Sequence, residues 1–478
     1  MKEKFDFVVV GGGVAGTICA LELCRLQPKA SVCLVSPNEM LKKLKIVKRV
    51  SNHLDELTVI EQPVGSLQAK NLEFVKDFVT GLKTEEKCVT LSSGRSIYYG
   101  KLSVCTGASP KVHASNPRLL TVRDTDSAGK LNKALAQSRK VIVAGNGAIA
   151  LEIINKLRGV DISWIVKHGH IGDSLLDVDV ALFLLECFQK KNKQNVEIKQ
   201  SEAEMESTQQ SIEEVAVKAP SVKPAFDHAL GPQWAVDIAS KADANVRTNL
   251  EVVYNKKLVN VVDKSDDDDG EWPIYALLSS GEKIGADFII SCIGVVPNTS
   301  WLSQDASFSV AEDGGLKVDD RMQTSVPDVF AAGDVCTLEE ENVGHHFFQI
   351  RLWSQARMTA EFAAHCMAES RDAEYLDLCF DLFTHVTHFF GEKVILLGLY
   401  DGQRLQNEPE EDVIIYSRAT EDTFVRVILL RGRLQGAVLV GDTDLEQVFE
   451  NLILSSIDLT RFGPEILDPE VDLEDFFD

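Results

Sequence analysis

The chain has 478 residues and is 45% hydrophobic, a length that predicts about two to four globular domains. It carries 49 lysine and arginine residues against 73 aspartate and glutamate residues, and this net charge of −24 argues against nucleic acid or an anionic membrane as a direct partner. We expect no signal peptide, because a first strand begins near residue 5, and no membrane span, because no apolar run reaches about 18 residues. The ten scattered cysteines predict reduced thiols in an intracellular compartment and no metal site.

The first predicted element is a buried strand over residues 5–10, which runs directly into a glycine-rich turn and an apolar helix. The turn reads GGGVAG and matches the fingerprint G-x-G-x-x-G. Its first glycine permits the tight turn, its second lets the backbone approach a pyrophosphate, and its third lets the helix pack on the strand. The pyrophosphate then lies at a helix N-terminus, which favours anions. The residues predicted to bind a dinucleotide here are Gly11, Gly13, Val14, Ala15 and Gly16.

A second fingerprint, GNGAIA, follows a strand over residues 140–143 and opens another helix. Alanine is accepted at its third position, so Gly145, Gly147 and Ala150 are the predicted binding residues. Two fingerprints in one chain imply two dinucleotides. A protein that holds two of them usually passes electrons between them.

Three further apolar strands end in small or polar residues that would lie beside a cofactor, in the segments KLSVCTGASP, DFIISCIGVVPN and TSVPDVFAAGDVC. The residues predicted there are Cys105, Thr106, Gly107, Gly294, Gly333 and Asp334. Gly333 would let the backbone approach a ligand closely. The carboxylate of Asp334 would accept hydrogen bonds from ribityl hydroxyls.

In this order, the segments GGGVAG, CTGASP, GNGAIALE, IGVVPN and TSVPDVFAAGDV resemble the FAD-dependent pyridine nucleotide–disulfide oxidoreductase superfamily. The resemblance implies an α/β fold with two Rossmann-like, three-layer dinucleotide-binding domains and a C-terminal α+β domain. It places FAD on the first fingerprint and NAD(P)H on the second. The segments RDTDSA, EDGGLKVDDRMQTS and DLEQVFENLIL resemble one branch of that superfamily, and this likeness extends to the end of the sequence.

The resemblance also predicts the domain bounds. The FAD-binding domain has two parts, 1–125 and 298–344, around an NAD(P)-binding domain at 126–297, and the C-terminal domain covers 345–478. Because the NAD(P) part is long for one dinucleotide unit, we expect an insertion at about 190–250 with a mobile portion. The acidic end, LDPEVDLEDFFD, is either a solvated tail or a docking segment for a basic partner. A monomer and a dimer are equally compatible with the sequence.

Cys19 and Cys24 raise the question of a redox-active disulfide, because four residues separate them, as in many flavin-dependent disulfide reductases. On one helix they lie about 140° apart around the axis and cannot meet, so we interpret both as packing residues. By resemblance, the redox pair would lie further along the chain on a helix under the flavin. That region reads SPNEMLKKLKIVKRVSNHLDEL and contains no cysteine. Electrons would then leave the flavin directly for an external acceptor: a quinone, dioxygen, a carrier protein or a diffusible disulfide.

Resemblance assigns further residues to the two nucleotides. Superfamily members hold a ribose with an acidic residue at a strand end where this chain has Ser36, and a plain strand-end turn is the alternative for that serine. Val79 lies where a main-chain contact to the adenine is expected. Lys167 ends the corresponding strand of the second unit, where a cation suits the 2′-phosphate of NADPH and slightly favours it over NADH. A solvated lysine is the alternative.

Two residues are predicted to act at the flavin itself. Glu152 follows the second fingerprint, where family members aim a carboxylate at the nicotinamide and at a lysine near flavin N5. The candidates for that lysine, of which Lys48 is favoured, are Lys42, Lys43, Lys45 and Lys48. A cation there would stabilise the reduced flavin. A helix predicted to begin at Phe347 would point its N-terminus at the same ring.

The leading hypothesis is an FAD-dependent NAD(P)H oxidoreductase of the cytoplasm or nucleus that lacks a redox disulfide. By resemblance, proteins of this kind are linked to redox protection of the tRNA-splicing RNA ligase complex through an NAD(P)H-dependent association. The alternative is an interaction protein whose docking surface depends on its flavin and nicotinamide state, with slow turnover. A flavin-free nicotinamide scaffold is a third reading, and the Gly333-Asp334 motif argues against it.

Overall fold

The computed structural model describes residues 3–67, 69–192, 196–200, 248–264, 270–302, 307–370 and 380–468. Three large sheets organise these residues: a mixed sheet near the N-terminus, a parallel sheet in the middle of the chain and an antiparallel sheet near the C-terminus. This arrangement confirms the expected fold class, two Rossmann-like α/β units and a C-terminal α+β unit. The expected insertion at about 190–250 lies largely outside the described residues.

The first sheet has seven strands: β1 (Glu3–Val10), β2 (Val32–Ser36), β5 (Leu72–Lys76), β6 (Val79–Lys83), β7 (Cys88–Leu91), β8 (Ser96–Val104) and β21 (Val329–Ala331). Their order is β5-β2-β1-β8-β7-β6, with β21 added beside β8. The strands around β1 and β8 are parallel, whereas β6, β7 and β8 form an antiparallel meander. Helix α1 (Val14–Leu26) follows β1 directly and packs against helix α5 (Trp353–Met367).

The second sheet has six parallel strands: β10 (Leu119–Leu120), β11 (Lys140–Ala144), β12 (Asp161–Ile165), β13 (Val196–Gln200), β14 (Thr248–Val253) and β18 (Phe288–Ser291). Their order is β10-β18-β11-β12-β14-β13. Three helices belong to this unit: α2 (Thr125–Leu135), α3 (Ala148–Lys156) and α4 (Val178–Asn192). A separate antiparallel sheet joins β15 (Leu258–Asp263), β16 (Ile274–Leu278) and β17 (Lys283–Ala286).

The third sheet is antiparallel and has five strands: β23 (Thr384–Phe389), β24 (Glu392–Gly398), β25 (Val413–Ala419), β26 (Phe424–Leu430) and β27 (Arg433–Val440). Their order is β23-β24-β27-β26-β25. Helix α6 (Glu446–Ser455) packs against β24 and β27, and a short 3₁₀ helix, Gly463–Leu467, packs against β25. One apolar cluster lies between the sheet and α6 and includes Phe449, Leu452 and Ile453.

Three strand pairs stand apart from these sheets. They are β3 (Met40–Arg49) with β4 (Asp55–Pro63), β9 (Ala108–Pro110) with β19 (Val295–Pro297), and β20 (Leu316–Val318) with β22 (Cys336–Leu338). The pair β9–β19 links the segments that leave the first and second sheets, which places their strand ends side by side. The pair β3–β4 is an antiparallel hairpin with a bulge at Val47, in the region where resemblance places the helix of a redox cysteine pair.

The strands at the centre of both α/β units have apolar, buried C-terminal halves because each is covered there on both faces. In β1, Val8 and Val9 are fully buried, and β11 and β18 have buried runs of the same kind. No helix among the described residues is long and apolar enough to cross a membrane.

Candidate functional site

The first glycine turn is built as the sequence predicts. Gly11 has a φ of +121°, which strongly favours glycine, and an added Cβ would strike the backbone carbonyl of Cys105. Gly13 ends the turn at the start of α1, and the space where its Cβ would lie is open. Helix α1 has no side-chain N-cap, so its first N–H groups are available to an anion. The turn therefore has the backbone geometry that a pyrophosphate requires.

The second glycine turn repeats this geometry. Gly145 has a φ of +138°, and an added Cβ would strike the carbonyl of Cys292. Gly147 precedes α3, which also has no side-chain N-cap. Ala150 is fully buried on the first turn of that helix, at the place that Gly16 occupies in the first unit. Two equivalent candidate anion sites therefore lie at the carboxyl ends of parallel strands, one in each α/β sheet, where α/β proteins bind nucleotides.

The residues around the two turns are tied to each other across the β9–β19 pair. Thr106 donates its hydroxyl to the carbonyl of Asn298 at 2.9 Å, and the Asn298 amide donates to the Thr106 carbonyl at 2.8 Å. The N–H of Asn298 also donates to Gly107 at 2.9 Å. Gly294 has a φ of +97° and accepts from the N–H of Lys111 at 2.8 Å. Asn298, which follows the proline of the motif IGVVPN, thus fixes the segment 105–107, a role that the sequence pattern does not reveal.

Asp334 lies in a short 3₁₀ helix, Gly333–Val335, that packs against α5. Gly333 touches α1, because an added Cβ would lie 2.7 Å from the Ala15 methyl group. Burial raises the pKa of the Asp334 carboxyl, and the charges of Arg351, Arg123 and Lys42 oppose that shift. The first unit thus joins its glycine turn to a half-buried carboxylate whose charge three cations oppose.

Arg351 joins this cluster without any signal in the sequence, whereas Lys42 is one of the four lysines that resemblance offers for a place near the flavin. Arg351 donates through Nε to the carbonyl of Asp334 at 2.9 Å and through Nη2 to Asp313 at 2.6 Å. Lys42 donates through Nζ to the carbonyl of Arg123 at 3.0 Å, and the same atom lies 5.4 Å from the centre of the Trp353 ring. Burial lowers the pKa of Lys42. Trp353 begins α5, so the helix that the sequence predicted from Phe347 starts six residues later.

Lys48 does not belong to this cluster. It lies exposed near the far end of β3, in register with Glu56. Burial raises the pKa of the Glu56 carboxyl, and the positive charge of Lys48 opposes that shift. Lys42, one of the four candidates, lies near the start of β3, where the N–H of the same residue donates to the carbonyl of Gly12 at 3.2 Å. The two ends of β3 therefore lie in different parts of the molecule, with Lys42 at the Asp334 cluster and Lys48 away from it, and which lysine lies near the flavin stays a prediction.

Glu152 is 2% exposed on α3, one turn after the second glycine turn. A carboxylate held inside the fold at this place suits an acidic role toward the nicotinamide, which stays a prediction. Cys105 is also buried. A hydrogen bond from its N–H to the carbonyl of Val10, 2.8 Å long, holds its backbone beside β1.

The residues assigned to the nucleotides by resemblance lie at the expected strand ends. Ser36 is buried beside the first turn, with its hydroxyl 2.5 Å from an added Cβ of Gly12, and it bonds to the backbone of Asn38 in a strand-end turn. Val79 begins β6 and is half-buried. Lys167 is exposed two residues beyond β12. Their contacts to nucleotides stay predictions.

The cysteine question has a structural answer for α1. Cys19 and Cys24 are both buried and free, and burial raises the pKa of the Cys24 thiol to about 11. The pKa of Cys19 is also raised, first through the neighbouring Cys105 thiol and then by burial. Within the described residues, no group of three His, Cys, Asp or Glu side chains is placed to hold a metal ion.

Comparison with known proteins agrees with this geometry. The model of the family described as pyridine nucleotide-disulphide oxidoreductase matches residues 5–224 and 218–360. The chain belongs to the pyridine nucleotide–disulfide oxidoreductase family. It is 38% identical to the mouse protein named pyridine nucleotide-disulfide oxidoreductase domain-containing protein 1, over 99% of this chain and 98% of that protein. A Dictyostelium discoideum protein of the same name is 35% identical over 99% of both chains. These relatives confirm the branch that the sequence resembles.

Solved structures of several reductases share the fold. A ferredoxin reductase from Rhodopseudomonas palustris superposes with a TM-score of 0.68 at 17% identity, covering 98% of this chain and 99% of that one. Putidaredoxin reductase, in its covalent complex with putidaredoxin, gives a TM-score of 0.65 at 16% identity over 99% and 98% of the two chains. Membership of this family of flavin oxidoreductases, together with the two glycine turns, supports binding of FAD and NAD(P)H.

Proposed function

We propose that this protein is an FAD-dependent NAD(P)H oxidoreductase that works without a redox-active disulfide and passes electrons to an external acceptor. The observation that carries the proposal is the hairpin β3–β4. It occupies the region where resemblance places the redox pair, and residues 36–57 contain no cysteine. Cys19 and Cys24 are buried thiols with raised pKa values, and a thiol of that kind is a poor nucleophile and a poor relay.

The residues that would hold FAD come from three segments of the first unit. They are the turn and helix start at Gly11, Gly13, Val14, Ala15 and Gly16, the strand end at Cys105, Thr106 and Gly107, and the pair Gly333 and Asp334. Ser36 and Val79 would contact the adenosine part. The open space at Gly13 and the uncapped start of α1 support this assignment.

The residues that would hold NAD(P)H come from the second unit. They are Gly145, Gly147, Ala150, Lys167 and Gly294. We favour NADPH, because Lys167 is exposed at the strand end where a 2′-phosphate would lie, and a cation attracts that group. His168 and Asp173 form an ion pair at 2.6 Å in the same loop, so a carboxylate lies close to this place as well.

When bound, NAD(P)H supplies a hydride that FAD accepts and hands on as electrons. This chain supplies the electrostatic setting for that chemistry. Lys42, packed over Trp353, places a positive charge beside the cluster around Asp334. The start of α5 adds the positive end of a helix dipole. Both would stabilise negative charge in a reduced ring. Glu152 would orient the nicotinamide from within α3.

The acceptor and the cellular role are inferred from relatives. A structural neighbour was solved in covalent complex with putidaredoxin, so a protein carrier is a reasonable acceptor class here. By resemblance we propose a role in redox protection of an intracellular partner such as the tRNA-splicing RNA ligase complex, in the cytoplasm or nucleus. No direct contact with nucleic acid is expected from the net charge of −24.

The test is the visible absorption spectrum of the purified protein, followed without oxygen after addition of NADPH or NADH. The proposal predicts a flavin spectrum that bleaches with either nucleotide and faster with NADPH. The variant Lys167→Glu should slow flavin reduction by NADPH and leave reduction by NADH unchanged. A bleached flavin that stays reduced for hours in air would favour the state-dependent interaction protein instead. Failure of the protein to bind FAD would refute the proposal that it is a flavin-dependent oxidoreductase.

A further inference from the structure

A cleft of about 410 Å³ opens between helix α2 and the segment that leads into β10. Helix α2 forms one wall with Lys130, Lys133 and Ala134, whose spacing places them on one face of the helix. Arg118 lies on the opposite wall, and Phe288, the first residue of β18, forms part of the floor. The volume of the cleft falls within the range of sites that bind small molecules.

The cleft lies at the edge of the parallel sheet that is opposite to the second glycine turn. Phe288 pairs with Val141 near the amino end of β11, whereas Gly145 follows the carboxyl end of that strand. The five residues of β11 span roughly 16 Å. A ligand in the cleft is therefore separate from the nucleotide predicted at the glycine turn, because α/β proteins bind nucleotides at the carboxyl ends of their strands.

The cleft gathers positive charge, although the chain carries a net charge of −24. Lys130 and Lys133 have no ion-pair partner within the described part of the chain. Asp287 is the one carboxylate among the described residues that line the cleft, and its Oδ2 accepts from the N–H groups of Arg139 at 2.7 Å and Lys140 at 3.0 Å. That carboxylate thus holds the start of β11. Cations that converge in this way raise the local positive potential, which attracts anions.

Arg118 is held in place without a ligand. Its N–H donates to Oδ1 of Asn116 at 2.8 Å, and its carbonyl accepts from the N–H of Ile289 at 2.9 Å. Its guanidinium donates through Nη1 to the carbonyl of Asp287 at 3.2 Å. The planar guanidinium has five N–H donors in a fixed arrangement that matches the oxygens of phosphate or carboxylate groups. The wall opposite the lysines therefore presents a preorganised donor for an anion.

We propose that this cleft binds a small molecule that carries two negative charges, as a phosphate or as carboxylate groups, on an apolar body. Arg118 would donate to the anionic group from one wall, and Lys130 and Lys133 would act as point charges from the other. The apolar body would pack on Leu120 and Phe288 in the floor. This site requires neither FAD nor NAD(P)H, so it goes beyond the proposed oxidoreductase activity.

Calorimetric titration of the full-length protein tests the proposal with phenyl phosphate, phthalate and inorganic phosphate. The first two probes carry a dianion on an aromatic ring, whereas the third has no apolar body. At least one aromatic dianion should bind, about tenfold tighter than inorganic phosphate, because the floor buries its ring. Binding of phenyl phosphate alone would identify a phosphorylated ligand, and binding of phthalate alone would identify a dicarboxylate. No binding of either aromatic probe would overturn the proposal.

Charge reversal makes the titration specific to the cleft. The double variant Lys130→Glu, Lys133→Glu should raise the Kd of the bound probe at least about tenfold, because it removes two charged partners. The double variant Lys29→Glu, Lys70→Glu is the matched control, since it makes the same charge change at two exposed lysines of the first unit. It should leave the Kd unchanged. An equal loss in both double variants, or no loss in the first, would overturn the proposal.

Pyridoxal 5′-phosphate locates the site independently of affinity. It carries a phosphate on an aromatic ring, and its aldehyde condenses with a lysine amine to an imine, with loss of water, that cyanoborohydride reduces to a stable amine. Peptide mapping should find at least about tenfold more label on Lys130 or Lys133 than on Lys29 or Lys70, because binding holds the aldehyde beside the amine. The probe that binds in the titration should protect that lysine. An even spread over exposed lysines, or label on Lys167 alone, would overturn the proposal.

Discussion

Replacing Gly147 with alanine should weaken NAD(P)H binding and leave the fold unchanged. Gly147 has a φ of −100° and a ψ of −177°, an extended conformation that alanine adopts freely. The nearest atom to the added Cβ is the Ser174 hydroxyl oxygen at 3.6 Å, an ordinary contact. We therefore expect a change of at most about 0.5 kcal/mol in the free energy of unfolding, which is about 1–2 °C in Tm.

The effect of Gly147→Ala appears in the binding of NAD(P)H and not in the stability of the free protein. The added methyl group would occupy the space through which a pyrophosphate approaches the start of α3. A hydrogen bond from an N–H group to a charged phosphate contributes about 1.5–3 kcal/mol. Loss of one such bond raises the Kd for NAD(P)H about 10- to 150-fold.

Gly145→Ala is the matched control. It introduces a side chain at a φ of +138° and against the carbonyl of Cys292, so it should cost about 1–3 kcal/mol of stability and several degrees of Tm. The assay is fluorescence titration of the FAD-loaded proteins with NADPH and NADH, beside thermal unfolding without nucleotide. The reasoning would be refuted if Gly147→Ala bound the nucleotide as the natural protein does, or lowered the Tm as much as Gly145→Ala.

Three further predictions follow from single side chains. Lys42→Met should slow flavin reduction about tenfold in stopped-flow measurements, because it removes the cation proposed to lie at the ring. A tenfold change corresponds to about 1.4 kcal/mol, or about 30 mV for a two-electron couple. Lys48→Met should leave the rate unchanged, and equal effects of the two variants would refute the assignment of Lys42. The double variant Cys19→Ala, Cys24→Ala should reduce its flavin within about twofold of the natural rate, and a large loss would show that these thiols take part. Burial lowers the pKa of His385 to about 4 from its ordinary 6.5, so its protonation should cost about 1–3 kcal/mol of stability as the pH falls from about 6.5 to about 4. Urea titrations of His385→Gln should show a flatter dependence over that window, and an unchanged slope would contradict this.

Much of the site was predictable where backbone geometry demands one residue type. Gly11 and Gly145 are glycines because a positive φ and a facing carbonyl leave no room for a side chain. A short fingerprint therefore located both glycine turns of the candidate nucleotide sites. The apolar run that ends the strand before each turn predicted a central strand of a sheet, since a segment buried on both faces must be apolar.

Other members of the site depend on tertiary placement that the sequence pattern does not contain. Resemblance places a helix in the segment that carries Lys42 and Lys48, and the segment forms a bulged hairpin whose ends lie apart, so the sequence alone does not show which lysine joins the Asp334 cluster. Arg351 joins the site from a non-helical segment before α5, where the sequence predicted helix. A local pattern does not reveal such a boundary, because helix ends depend on what packs beside them.

The direct test of the central claim is a stepwise reduction of the oxygen-free protein with dithionite, followed by its absorption spectrum. A flavoprotein without a redox disulfide takes up two electrons per flavin. The account predicts complete bleaching after one two-electron equivalent, with no new reactive thiols in the denatured product. Uptake of four electrons per flavin, with two thiols gained, would show a disulfide in the path and contradict the account.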